Sequence, residues 1–240
     1  MDDLSGKVAV VTGSTKGIGR AIVEAVAARG GSAVVSSRTE SEVREVAAEL
    51  DARHPGRVIG IPCDVRERSA CQALVEGAVA ELGGVDILVN NAGLGRFAKL
   101  QEMDPADWEI QLRTNLDGVF HCSQAVIEPM RARGGGWILN IGSLAGRNAF
   151  SGGAAYNASK FGLLGMSEAM MLDLRHEGIR VSCIMPGSVN THFFDGGPDP
   201  DDDWKLQSDD IARVVMDLLA FPERALPSRI EIRPTQPPRK

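Results

Sequence analysis

Seven short runs dense in Val, Ile, Leu and Ala alternate with longer amphipathic stretches, and this alternation is the strongest constraint on what the chain can become. The apolar runs fall at 7–12, 32–37, 57–63, 85–90, 137–142, 179–185 and 229–233. Between them, 17–29, 41–53, 67–82, 156–177 and 208–220 carry apolar residues at helical spacing, and 105–131 also reads as helical. Strand, helix, strand in succession means parallel pairing through right-handed crossovers. The runs are nearly continuous in apolar residues instead of alternating with polar ones, as strands are when helices cover both faces of a sheet. The expected fold is a doubly wound α/β sheet of seven mostly parallel strands with helices on both faces.

No linker or shift of composition divides the 240 residues, so a single domain spanning 1–240 is expected, with a tail at 234–240 that frays. A formal charge of −6 has the wrong sign for neutralising phosphates along a nucleic acid or for binding an anionic membrane. No stretch has the uninterrupted apolar length that spans a bilayer, and the first residues lack the basic and apolar regions of a leader. Cys63, Cys71, Cys122 and Cys183 are far apart, without a CxxC pair. A reduced, cytoplasmic chain is the expectation.

The first strand runs into Thr12-Gly13-Ser14-Thr15-Lys16-Gly17-Ile18-Gly19 and then a helix. Glycines there allow a pyrophosphate to approach bare amides at a positive helix end, so Gly13, Ser14, Lys16, Gly17, Ile18 and Gly19 are candidate nucleotide contacts. The second strand ends Ser36-Ser37-Arg38, where a site selecting NAD(H) offers an acid to the ribose hydroxyls. Arg38 with Lys16 instead suits a ribose 2′-phosphate, which predicts NADP(H) in preference to NAD(H).

Tyr156, the only tyrosine, lies four residues before Lys160, and the pair shares a helix face. A phenol near pKa 10 is a poor proton carrier at neutral pH, and a neighbouring ammonium lowers that barrier. Ser143 follows the fifth strand and emerges at the same sheet edge, where its hydroxyl can hold a substrate oxygen that gains negative charge during hydride transfer. The stretch Gly142-Ser143-Leu144-Ala145-Gly146 is not a nucleophile elbow, and the four histidines have no metal-ligand spacing, which disfavours serine hydrolases and metalloenzymes.

With TGSTKGIG at 12–19, Asn90-Asn91-Ala92-Gly93 and the set Asn115, Ser143, Tyr156 and Lys160, the chain resembles the short-chain dehydrogenase/reductase family along almost its whole length. It looks most like NADP(H)-dependent 3-oxoacyl-acyl carrier protein reductases and 3-hydroxy acid dehydrogenases. The resemblance implies a Rossmann-like fold, Tyr156 as acid/base and Ser143 positioning the carbonyl. It further implies that Lys160 lowers the phenol's pKa and holds the nicotinamide ribose, and that Asn115 holds a water linking Lys160 to solvent. From the residues alone, Asn115 reads equally well as a helix-bend or surface residue. By the same resemblance Asp64, with Val65 beside it, meets the adenine. Asn91, Ala92 and Gly93 pass the adenosine ribose, Pro186 and Gly187 form the turn before the substrate loop, and Val189 and Thr191 face the carboxamide. Asp64 read alone is as plausible a helix cap, and Asn90 is expected to tie neighbouring strands together.

The substrate loop contains Phe193-Phe194, which either close over an apolar substrate or anchor the core, and the acidic run Asp201-Asp202-Asp203, expected to be solvated. The helix from Tyr156 onward is apolar nearly all round, more than one sheet needs, and the family pairs this helix across a two-fold axis, which predicts a homodimer or homotetramer. The expected activity interconverts a small carbonyl compound and an alcohol. A non-catalytic NADP(H)-binding sensor or scaffold on the same fold is the alternative; a methyltransferase lacks both its glycine turn and its acid after the second strand.

Overall fold

A computed structural model describes residues 3–193 and 197–238. Seven strands form one sheet: β1 (Val8–Thr12), β2 (Ser32–Ser36), β3 (Val58–Gly60), β4 (Ile87–Asn90), β5 (Gly136–Ile141), β6 (Ile179–Pro186) and β7 (Arg229–Ile232). Seven α-helices connect them: α1 (Gly17–Ala27), α2 (Glu40–Arg53), α3 (Arg68–Leu82), α4 (Pro105–Leu112), α5 (Gly118–Ala132), α6 (Ala154–Leu174) and α7 (Ser208–Leu219). The order across the sheet is β3-β2-β1-β4-β5-β6-β7. The six pairings are all parallel, so the sheet is parallel throughout and not merely for the most part.

Even in the buried strands the side chains alternate between faces. Ala9 and Val11 of β1 join a core with α1, α2 and α7, while Val10 joins the opposite core with α3 and α5. Each fully buried aliphatic side chain contributes about 1.5–3 kcal/mol, so a central strand must be apolar on both faces, as β1 is. The ladder stops at Gly60, earlier than the apolar run through Cys63 suggests. The Ile61 and Cys63 amides still donate to Val35 and Ser37. The helical stretch after residue 105 is broken by a π-helical turn, Arg113–Asp117, between α4 and α5.

Asn90 and Asn140 face each other in register. The Asn90 amide donates to Asn140 Oδ1 (2.8 Å) and Ser123 Oγ (3.0 Å), and Asn140 Nδ2 donates to Ser167 Oγ (2.9 Å). This buried network ties β4, β5, α5 and α6 together, the structural part expected of Asn90. All four cysteines are buried free thiols. Among the described residues, no helix is long and apolar enough to cross a membrane.

After β3 the chain returns through α3 to the far side of β1, so connections diverge between β1 and β4. Ligands of open α/β sheets bind beyond the carboxyl ends of the strands at such a point.

Candidate active site

A cleft of about 1220 Å³ opens at that edge. It exceeds the range of roughly 300–1,000 Å³ usual for a single drug-sized ligand. One end is built on the turn after β1. Gly13 (φ +63°) and Gly17 (φ +58°) take the left-handed conformation, and a Cβ on Gly13 would lie 2.8 Å from the Ala92 Cα. The Asn91 side chain donates to the Thr12 and Gly13 carbonyls at 2.9 Å each, while Thr12 Oγ1 accepts from the Asn91 and Ala92 amides at 3.1 Å. This clamp holds the turn open toward the start of α1, whose first amides receive no side-chain cap.

Gly13, Lys16, Gly17 and Ile18 line the cleft as the sequence suggests, but Ser14 and Gly19 do not. Ser14 is fully buried, its hydroxyl donating to Val11 O (2.7 Å) and accepting from Ser36 N (2.8 Å), so it stitches β1 to β2. A Cβ on Gly19 would meet Asn91 Nδ2 at 2.5 Å, which makes this glycine a packing requirement.

Arg38, Asp64 and Val65 border the same end, joined by Ser37, Glu42 and Arg66, which sequence reasoning missed. Asp64 accepts from the Arg66 amide (3.0 Å) and from its guanidinium (Nε 2.8 Å), and this arginine holds the carboxyl below its usual range. Asp64 thus forms the turn ahead of α3 as well as bordering the cleft. Thr15 Oγ1 donates to Glu42 (3.4 Å). Among the described residues, Ser37 Oγ and Thr114 Oγ1 are buried without a partner, and both line the cleft. Open amides, an exposed Arg38 and an unmatched Ser37 hydroxyl fit a phosphorylated dinucleotide, since buried polar groups normally have partners.

The other end brings Ser143, Tyr156 and Lys160 together. Ser143, leaving β5 in extended conformation, accepts from the Ala145 amide (3.1 Å), and its hydroxyl acts on the phenol of Tyr156, drawing the phenol's pKa down. Tyr156 and Lys160 lie in the first two turns of α6. Lys160 is buried; its Nζ lies 5.8 Å from the Tyr156 ring centre and donates to the Ile141 carbonyl (2.9 Å). Burial pushes the ammonium down to about 8. The phenol moves upward, opposite to expectation: burial outweighs the Ser143 hydrogen bond, and the ammonium is turned to a carbonyl instead of the phenol.

Asn115 stands behind the cleft wall, in the π-helical turn. Its amide donates to Leu94 O (2.9 Å) and Ser159 Oγ (3.1 Å), and its oxygen accepts from Leu94 N (2.9 Å). Both amide hydrogens are used, so it braces the segment after β4 against α6. Asn91, Ala92, Gly93, Pro186, Gly187, Val189 and Thr191 line the cleft between its two ends.

Phe193 lines the substrate end; Phe194 lies outside the described residues. Asp201, Asp202 and Asp203 do not border the cleft, and Asp202 is held by Lys205 and by Trp204 Nε1 (3.0 Å). Phe97, Phe150 and Trp204 join the wall without any motif to announce them. Of the tail, Pro234, Pro237 and Pro238 also run along it, while residues 239 and 240 lie outside the described residues.

A parallel sheet with a glycine turn, a serine, a tyrosine and a lysine at one edge defines a dinucleotide-linked oxidoreductase, and comparison supplies the family. A profile of the short chain dehydrogenase family matches residues 7–199. The chain belongs to the short-chain dehydrogenase/reductase family and is an oxidoreductase acting on CH–OH groups. It is 34% identical over 225 residues, 89% of each chain, to the (2S)-[(R)-hydroxy(phenyl)methyl]succinyl-CoA dehydrogenase subunit BbsD of Thauera aromatica. It is 36% identical over 189 residues to the 3-oxoacyl-[acyl-carrier-protein] reductase FabG of Escherichia coli (strain K12), covering 79% of this chain and 76% of that one. A metagenomic short-chain oxidoreductase solved in complex with NADP superposes with a TM-score of 0.85 at 37% identity, over 98% of this chain and 100% of that one.

Proposed function

We propose that the protein is an NADP(H)-dependent enzyme that interconverts a ketone or aldehyde and its alcohol, with Tyr156 carrying the proton. The observation behind this reading is that Ser143, Tyr156 and, one helical turn on, Lys160 line the same cleft that begins at the glycine turn. NADPH, when bound, supplies the hydride. The chain's own residues do the rest. Ser143 accepts from the Ala145 amide, and its one hydrogen, which acts on the phenol in this structure, would turn to the substrate oxygen as charge develops there. The upward shift of Tyr156 keeps the phenol protonated at neutral pH, which suits the donor of a reduction. Lys160, pushed down by burial, supports the active-site hydroxyls and the nicotinamide ribose, and Asn115 braces the wall behind it.

Arg38, Ser37 and Lys16 would hold a 2′-phosphate, Asp64 and Val65 the adenine, and Asn91, Ala92 and Gly93 the adjoining ribose. Pro186, Gly187, Val189 and Thr191 would flank the carboxamide. The preference for NADP(H) rests on Arg38 and on the absence of an acid at the end of β2. The NADP complex of the structural relative agrees with it. The buried free thiols favour a reducing, cytoplasmic setting, and exposed apolar residues on α6 favour a homodimer or homotetramer.

The test follows NADPH oxidation with ketones and 3-oxoacyl thioesters and NADP⁺ reduction with 3-hydroxy acids, alongside titrations of NADPH and NADH. Turnover of one carbonyl class and NADPH binding at least about tenfold tighter are expected, from loss of the Arg38–phosphate pair in NADH. Equal binding of NADH would overturn the coenzyme assignment, and absence of any turnover would overturn the activity.

A further inference from the structure

Three phenylalanines from separate parts of the chain stand around the one tyrosine. The Phe97 ring centre is 5.5 Å from that of Tyr156 and meets it edge-on. Phe193 also meets it edge-on, at 5.7 Å. Phe150 lies 6.5 Å from Tyr156 and 5.7 Å from Phe97. Three of the seven phenylalanines in the chain thus stand around the Tyr156 ring.

These rings do not form ordinary core. Phe97 and Phe150 are 41% and 46% exposed, and all three line the cleft. The backbone is also cleared for them. A Cβ on Gly95 would lie 2.6 Å from Phe97 Cζ and 2.9 Å from Phe193 Cε1, and one on Gly153 would lie 2.6 Å from Phe150 Cε2. Neither glycine has a positive φ, so what a side chain there would change is the room left to the rings and not the backbone conformation. The acids that border the cleft, Glu42 and Asp64, belong to its coenzyme end, and at the rim Arg233 is already paired with Glu231 (2.8 Å). The substrate end therefore presents aromatic rings and no carboxylate among the described residues, and its buried cation, Lys160, donates to the Ile141 carbonyl.

We infer that the site takes aryl carbonyl compounds and their alcohols, the aromatic ring of the substrate lying among Phe97, Phe150 and Phe193 while its carbonyl oxygen meets Ser143 and Tyr156. Face and edge contacts between rings reward a flat aromatic group beyond the area it buries. This inference rests on the proposed acid/base role of Tyr156. In the reduction the carbonyl carbon gains a hydride from NADPH, which leaves as NADP⁺, and the oxygen gains the Tyr156 proton, which solvent replaces.

The test compares kcat/KM for 1-phenyl-1-propanone, 3-nonanone and 3-oxobutanoate, with NADPH, in the wild type and in Phe97→Leu, Phe150→Leu and Phe221→Leu. Phe221 is an exposed ring that does not border the cleft. The aryl ketone is expected to exceed the aliphatic one by about tenfold, and each cleft variant, but not Phe221→Leu, to cut that ratio by about threefold or more. An aliphatic or anionic substrate favoured over the aryl ketone, or a ratio unchanged in both cleft variants, overturns the inference and leaves the chemistry standing. Calorimetry of 1-phenyl-1-propanone binding to the NADP⁺-saturated protein separates the other failure. Aryl binding that weakens in Phe97→Leu, without reduction of any panel member, overturns the acid/base reading and supports the aromatic pocket; neither binding nor reduction overturns both.

Discussion

Lys160 is an ammonium in an expensive place. Its side chain is buried, with one carbonyl, that of Ile141, accepting from Nζ at 2.9 Å. Burial pulls its pKa from 10.5 to about 8. The unfolded chain therefore binds the proton more tightly than the folded one between those values, so this residue destabilises the fold below about 8 and the penalty is relieved as pH rises toward 10.5. Lys160→Met should raise the stability of the protein near neutral pH by on the order of 2 kcal/mol. The gain should shrink in urea melts taken between about pH 7.5 and about 9.5, below the range where the raised phenol loses its proton. A gain that does not vary with pH would show that the ammonium is not the source. The sequence makes Tyr156 and Lys160 neighbours through helical spacing alone, but their electrostatics depend on depth, and spacing carries no information on depth. The same holds for Ser14 and Gly19: the motif names them, while only packing shows one stitching two strands and the other pressed against Asn91.

Among the elements, α6 shows most clearly what periodicity can and cannot tell. Its sequence is apolar nearly all round, yet the face against the sheet is made of Ala155, Ser159, Lys160, Leu163, Ser167 and Leu174, mostly small or polar. Small side chains let the helix approach closely enough for Tyr156 and Lys160 to reach the end of β5. The large groups are left outside: Phe161 is 45% and Leu172 52% exposed, with Phe120 of α5 exposed as well. In the proposed homo-oligomer this surface is where protomers would meet. Phe161→Glu should weaken self-association by at least about tenfold while leaving the circular dichroism of the fold unchanged. Sedimentation velocity checks it, and a wild type that stays monomeric at every concentration would contradict the proposed oligomer. The π-helical turn at Arg113–Asp117 had no signal in the sequence beyond a long helical stretch, and it is what swings Asn115 onto the Leu94 backbone.

At the scale of the whole molecule, topology was the most legible feature. Alternating elements, unbroken apolar strands and right-handed crossovers leave few arrangements, and they place every loop that follows a strand on one edge. Motifs written far apart, at Gly13, Asn91, Ser143 and Tyr156, meet there for that reason alone. What the sequence did not disclose are contacts that no pattern encodes. Phe97 and Phe150 come from two loops without a motif, Glu42 from the start of α2, Arg66 from the turn ahead of α3, and Pro234, Pro237 and Pro238 from a stretch whose composition suggests fraying, whereas Phe193 is legible in the sequence with the substrate loop. Their roles arise from where the sheet edge collects them. The central claim is that the phenol at this edge carries the proton, and Tyr156→Phe tests it most directly, with NADPH affinity and kcat measured on the same preparation. The account predicts a dissociation constant for NADPH within about threefold of the wild type and a kcat lower by about 10²–10⁴-fold. A variant that binds NADPH and still turns over at near the wild-type rate would contradict it.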